Sequence, residues 1–294
     1  MRKIIVIGEC TVDMIYPTVN TPSDSLNVSA QPGGRLLNAA AKLGDDGMDV
    51  TFVGDAATDP LGDFLVDFLD RHHVDTKSID RFTDGITATN MHFPAQQKTI
   101  CVRDYPSQRF DVIWPRIEAN DIVVVGTFFA VDGRVRSQLM DLLSHAVERK
   151  AIIVYLPGLL PPQTVRITSV MPAIYENLEL TDLIISRRSD LVTIFGEKPT
   201  EEIFTSTIDF YCPLMMDVDA EQSKLTLYAS KHKSSGSLSP LDISLDANAS
   251  AVAAIIKAII DLGLTRDMLK DMTPEMASRF VAETSKFTDK YLNR

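Results

Sequence analysis

Lys3-Ile4-Ile5-Val6-Ile7-Gly8-Glu9-Cys10-Thr11-Val12-Asp13 begins with four consecutive β-branched apolar residues after the lysine, and a glycine ends the run. A stretch this short and apolar at every position is a strand buried on both faces, the pattern of a parallel sheet covered on two sides. Downstream, Ile122 to Val125 stop at Gly126, Ile152 to Leu156 stop at Pro157-Gly158, and Leu183 to Ile185 repeat the character. Helical patterns lie between several of these runs, so crossover helices joining parallel strands are expected.

Asp59-Pro60 supplies an N-cap and then a proline at the first helical position, where its missing N–H costs nothing. Leu61, Phe64, Leu65, Phe68 and Leu69 continue as one apolar stripe. Residues 134–149 put Val135, Leu139, Leu142, Leu143 and Ala146 on an inner face, residues 249–262 end at a C′ glycine, Gly263, and Thr273-Pro274 opens the last helix. From Ile86 to Val112 the rhythm changes. Thr87, Thr89, Met91, Phe93, Thr99 and Cys101 alternate in part around a polar Gln96-Gln97-Lys98 turn, which predicts a hairpin outside the main sheet. The Thr-rich segment from Cys10 to Val28 is β-prone and can pair with that hairpin as a lid. The Ser- and Lys-rich residues 230–239 read as a mobile surface loop, and Trp114, the only tryptophan, as a packing anchor.

Of 294 residues, 45% are hydrophobic and 23% charged, the balance of a folded globular chain. The 29 Lys and Arg against 40 Asp and Glu leave a net charge of −11, which repels a phosphate backbone and argues against a nucleic-acid partner. Cys10, Cys101 and Cys212 are widely spaced and include no C-x-x-C pair, so neither a disulfide framework nor a zinc site is expected, and a reducing cytoplasm is. The first apolar run is too short for a signal peptide, and the late one is broken by Lys257, so no membrane partner is expected.

Asp13 follows the first strand, and open α/β sheets bind ligands beyond the carboxyl ends of their strands. An ionised carboxylate accepts from two neighbouring hydroxyls, as a sugar or a ribose offers; a turn-capping aspartate is the alternative. Pro32-Gly33-Gly34 opens an Ala/Leu-rich helix that ends at Gly44. Gly33 and Gly34 lack the Cβ atoms that keep a ligand from backbone N–H groups, and Asn38, one turn on, directs an amide to the same space. An ordinary strand-to-helix turn has the same composition. His72-His73 suits a helix end, His92, His145 and His232 are isolated in sequence, and Arg187-Arg188 is either a solvated strand end or an anion site.

Together these pieces resemble the ribokinase-like (PfkB) carbohydrate kinase family. The similar features are G-E-x-x-x-D at Gly8–Asp13, P-G-G-x-x-x-N-x-A at Pro32–Ala40, F-V-G-D-x-x-x-D-x-x-G at Phe52–Gly62, and His73-Val74-Asp75-Thr76 in place of G-V-D-T. The resemblance implies a three-layer α/β/α domain over residues 1–294 with a mainly parallel central sheet and a small β lid from about residues 10–30 and 86–112. It also implies a homodimer through the lid, and a sugar or nucleoside held by Asp13, Gly33, Gly34 and Asn38.

The C-terminal half departs from the family. Eleven of the 14 glycines lie at or before Gly158. Where the family carries D-T-x-G-A-G-D, this chain has Asp246-Ala247-Asn248-Ala249-Ser250-Ala251-Val252, with alanines for both glycines and Val252 at the position of the catalytic base. Leu156-Pro157-Gly158-Leu159-Leu160 replaces D-P-N-x-R, without carboxylate, amide or guanidinium, and Arg187-Arg188-Ser189-Asp190 replaces the metal-organising N-x-x-E. No counterpart of the T-x-G-x-x-G nucleotide turn lies in residues 210–220. Six helical residues separate Asp246 from Val252 by about 9 Å, so Asp246 is expected to cap the helix, and Ser250 is an unactivated hydroxyl. The expectation is a polyol-binding half-site with no catalytic residue and most ATP-dependent phosphorylation lost, ATP and Mg²⁺ entering only if the kinase activity survives. An active kinase with an unfamiliar base and a non-catalytic structural subunit are the alternatives.

Overall fold

Ile4 to Ile7 form β1 (Lys3–Ile7), and their side chains divide between two cores. The computed structural model describes residues 2–17, 25–159, 166–239 and 245–292, the last stretch with side chains from Asn248 onward. After β1 come β2 (Thr11–Ile15), β3 (Ser29–Gly33), α1 (Arg35–Asp45), β4 (Asp49–Ala57), α2 (Pro60–Arg71), β5 (Asp75–Phe82), β6 (Ile86–Phe93) and β7 (Lys98–Asp104). The chain continues through β8 (Ile122–Gly126), α3 (Arg136–Glu148), β9 (Ile152–Leu156), α4 (Ile167–Leu180), β10 (Leu183–Ser186), α5 (Arg188–Phe195) and α6 (Thr200–Ser206). It ends with β11 (Leu214–Asp219), β12 (Lys224–Ala229), β13 (His232–Ser237), α7 (Leu245–Asp261), α8 (Arg266–Lys270) and α9 (Pro274–Leu292).

Among the described residues the main sheet has nine strands, in the order β13-β12-β11-β10-β9-β8-β1-β4-β5. All neighbours from β11 to β5 are parallel, and β12 and β13 extend the sheet as antiparallel strands. Ile4 and Val6 pack in the core beneath α1, α2, α7 and α9, whereas Ile5 and Ile7 pack with α3, α4, α5 and α6 on the other face. The result is the expected three-layer α/β/α architecture. All four side chains are 1% exposed or less, and burying each contributes about 1.5–3 kcal/mol.

A second sheet, β3-β2-β6-β7 among the described residues, forms the lid. β2 runs parallel to β6, with Asp13 opposite Asn90, and antiparallel to β3, with Thr11 opposite Gly33. The strands depart from the expected lid limits at both ends. β3 continues to Gly33, and residues 105–112 contain no strand: Phe110 turns into the body and packs on Phe129, ring centroids 5.1 Å apart.

Three other expectations are corrected. Residues 230–239 are not a loop, because His232–Ser237 are the edge strand β13, whose Ser235 meets Thr226 across the pair at 3.1 Å. An edge strand facing solvent takes the same small polar residues that mark a loop. Trp114 is 44% exposed and anchors no core. α7 begins at Leu245, ahead of the expected start; the side chain of Asp246 lies outside the described residues, as does Leu160.

Candidate functional site

β1 ends at Gly8, whose N–H donates to Val53 O at 3.0 Å, and the chain then crosses into the lid. That crossing brings Glu9, Thr11 and Asp13 over the carboxyl ends of β1, β8 and β9. They line a cavity of about 150 Å³ with Arg35, Asn90 and Arg103, floored by Thr127 and Gly158. Space on this order holds a single six-membered ring. Thr127 has φ +59°, backbone strain of the kind that gathers at ligand sites.

Asp13 is 1% exposed and packs directly on Gly33: a Cβ there would lie 2.4 Å from Asp13 Oδ1 and 2.6 Å from Thr11 Oγ1. Gly33 thus makes room for the carboxylate, and Gly34, at φ +95°, turns the chain into α1. Asn90 Nδ2 donates to Asp13 Oδ1 at 2.7 Å, and His92 Nε2 stands 3.4 Å from the same oxygen, buried and without a hydrogen-bond partner among the described residues. Behind Asn90, Arg103 Nη2 donates to Asn90 Oδ1 at 2.9 Å, while Arg103 Nε and Nη2 grip Glu9 at 2.7 and 2.9 Å. Tyr105 donates its hydroxyl to Glu9 Oε1 at 2.5 Å, and burial, with Glu9 beside it, keeps that phenol well above its usual pKa. Below it, Arg109 stacks 3.5 Å over the Tyr105 ring and binds both oxygens of Asp55. Burial pushes Asp55 up to about 7 against the pull of Arg109. The lid carboxylate is therefore held through an unbroken polar chain to the body.

On the far side of the cavity Arg35, the first residue of α1, sends Nη1 to Asp190 Oδ2 at 2.8 Å. Arg187 takes both oxygens of the same carboxylate, at 2.7 and 2.8 Å. Burial opposes a charged Asp190, but Arg35 and then Arg187 outweigh it and hold the carboxyl below its usual range. A Cβ on Gly158 would lie 2.1 Å from Arg35 Nη2, so this glycine admits the guanidinium. The sequence around Leu156 holds no guanidinium of its own, and the fold supplies one from α1.

Behind Arg35 is a crevice lined by Arg35, Arg187, Leu156, Ile185, Ala251 and Val252, with about 10 Å³ of space, room for about one water. No carboxylate lines it among the described residues. Beyond it lies a groove of about 510 Å³ bordered by Arg187, Arg188, Glu197, Asp219, Glu221 and Asn248. Both oxygens of Asp190 accept from guanidinium groups. Among the described residues no three His, Cys, Asp or Glu side chains gather to hold a metal ion.

Of the residues expected to touch ligand, Asp13 and Gly34 line the cavity, and Gly33 packs on Asp13 without lining it. Asn38 does not line it: its Nδ2 donates to Pro32 O at 3.2 Å, and the side chain borders a separate groove with Lys42 and His72. Of Arg187-Arg188, the first is bound to Asp190, and the second is 43% exposed beside Glu197. Sequence reasoning missed Asn90, His92, Arg103 and Arg35. The i, i+2 spacing of Asn90 and His92 in a predicted hairpin was the available signal, because it puts both on one face.

A model of the pfkB family carbohydrate kinases matches residues 1–206. Among curated proteins, the 5-dehydro-2-deoxygluconokinase of Clostridium botulinum is 29% identical over 107 residues, 35% of this chain and 32% of that protein. The Clostridium beijerinckii protein of the same name is 28% identical over 105 residues, 34% of this chain and 31% of its own. These matches span about a third of the relatives' length. A fructokinase structure from Xylella fastidiosa superposes with TM-score 0.79 at 15% identity, covering 100% of this chain and 94% of that one. The aminoimidazole riboside kinase of Salmonella enterica, complexed with aminoimidazole riboside and an ATP analog, gives 0.77 at 15%, covering 96% and 92%. Both structures share the fold along nearly the whole chain, and the family match takes in β1 to α6, including the lid, the glycine turn and Asp190. This chain belongs to the pfkB family of carbohydrate kinases.

Proposed function

We propose that this protein binds one sugar or nucleoside beneath its lid and has lost most transfer of phosphate to it. The crevice at Val252 carries this reading: about 10 Å³ of space, lined by Arg35 and Arg187 and by no carboxylate among the described residues. Removing a hydroxyl proton needs a base within hydrogen-bond reach, and a valine side chain accepts none. Losing the general base costs roughly 10²- to 10⁴-fold, which takes a kinase turnover of ~1–100 s⁻¹ to about one per second or below. The half-site chemistry is binding: Asp13, oriented by Asn90, accepts from sugar hydroxyls while the lid excludes water.

The same reading includes a reducing, cytoplasmic setting and a homodimer in which the open lid edges β3 and β7 meet a second copy. Active phosphorylation is the competing reading, favoured by relatives named as kinases. An ADP-release assay with Mg-ATP across pentoses, hexoses, sugar acids and nucleosides separates the two. Release at background supports loss of transfer; sugar-dependent release abolished by Asp13→Ala establishes the kinase.

A further inference from the structure

We infer that the ligand of this cavity is an anionic polyol, whose carboxylate or phosphate docks on Arg35 while its hydroxyls meet Asp13. The inference rests on the polyol reading above and narrows it to a ligand class.

Charge and donor counts around Arg35 carry the argument. Two guanidinium groups share the single carboxylate of Asp190, and Arg187 already engages both of its oxygens. Among the described residues, one bond from Nη1 is the only hydrogen bond the Arg35 guanidinium makes, although five N–H donors are available to it. Its side chain is 13% exposed and lines the cavity, so those donors are held mostly away from bulk water. Burial, and also the like charge of Arg187, draws its pKa down despite Asp190. A surplus positive charge in a partly dehydrated wall is completed by an anion from the ligand.

The surroundings agree. Gly158 lets the Arg35 guanidinium lie against its backbone at the cavity floor. The first turn of α1 has neither a side-chain cap nor an acidic residue, so its N-terminal N–H groups favour negative charge at the same end of the cavity. Glu9 does not oppose an anion there, because Arg103 and Tyr105 neutralise and bind it on the lid side. Asp13 remains as the hydroxyl acceptor, in the lid and away from Gly158. The cavity thus has a carboxylate end and a guanidinium end, and a ligand with hydroxyls and one oxyanion matches both.

Calorimetric titration of the full chain with matched pairs tests this: gluconate against glucitol, and glucose 6-phosphate against glucose. At least one anionic member is expected to bind about tenfold or more tightly than its neutral partner, with the advantage persisting at raised salt. The successful pair distinguishes carboxylate from phosphate. Arg35→Gln is expected to remove the advantage, whereas Asp13→Asn weakens both members and leaves the advantage. Equal binding of both members by the wild-type chain overturns the inference while leaving the polyol reading standing. An advantage that survives in Arg35→Gln overturns it too. If no member of either pair binds, the polyol reading fails and the inference fails with it. The wild-type comparison needs no variant, so a poorly folding Arg35→Gln does not blunt the test.

Discussion

A methyl group on Gly33 would strike Asp13 Oδ1 at 2.4 Å inside a paired strand, where neither partner can easily withdraw. Gly33→Ala is therefore expected to lose about 1–3 kcal/mol of stability and to abolish polyol binding, as read by urea unfolding and titration. Val252 supports a second prediction. Restoring the family residues with Val252→Asp, Ala249→Gly and Ala251→Gly would place the new carboxylate in the crevice with Arg35 and Arg187, where it forms an ion pair instead of facing a hydroxyl. ADP release in the triple variant is expected to stay at the wild-type level. A rise above it would show that the crevice still accepts a phosphoryl group.

Asp59 ties helix α2 to the lid. It caps α2 by accepting from Gly62 N at 2.7 Å, and it accepts from Thr87 N and Oγ1 on β6 at 2.8 and 2.7 Å. Burial raises its pKa, but the bonds from Thr87 and Gly62 outweigh that and leave it lowered. A depressed folded value means stability present at neutral pH and lost as pH falls through that value. Asp59→Ala is expected to cost about 1–2 kcal/mol at pH 7 and progressively less in acid, measured by thermal unfolding across pH. Asp217, within β11, has the opposite sign. Burial pushes it up to about 6, with Ser186 offsetting only part. Its contribution is complete below the ordinary aspartate value and lost as pH rises through about 6, so Asp217→Asn should flatten the stability profile between about pH 4 and 6. Legibility in the sequence also varied by element. β1, β8, β9 and β10 were readable because burial on both faces forces every residue to be apolar. β13 was not, because a solvated edge has the composition of a loop. The Arg35 to Asp190 contact joins residues 155 apart, and no local pattern encodes it. Asn90 and Arg103 were hidden for a related reason: their meeting with Asp13 and Glu9 depends on the register of β2 against β6 and of β6 against β7.

Across the whole molecule the cavity beneath the lid and the crevice at Val252 differ in chemistry. The sheet, its covering helices and the lid match kinase structures along nearly the full chain, and the cavity beneath the lid has a carboxylate, a glycine turn and a polar scaffold behind them. The crevice at Val252 instead carries hydrophobic side chains, Asn248 and the two arginines bound to Asp190. A net charge of −11 gives the surface no general attraction for polyphosphate, so positive charge in the site has a local purpose, here the arginine pair on Asp190. The most direct test of a binding half-site without phosphotransfer is a thermal-shift matrix of polyols with and without Mg-ATP. A ligand at a hundredfold excess over its Kd adds about 2.7 kcal/mol, enough to raise Tm by several degrees. The account predicts that rise with at least one polyol and no further change on adding Mg-ATP. A rise with Mg-ATP alone, or with no polyol at all, would contradict it.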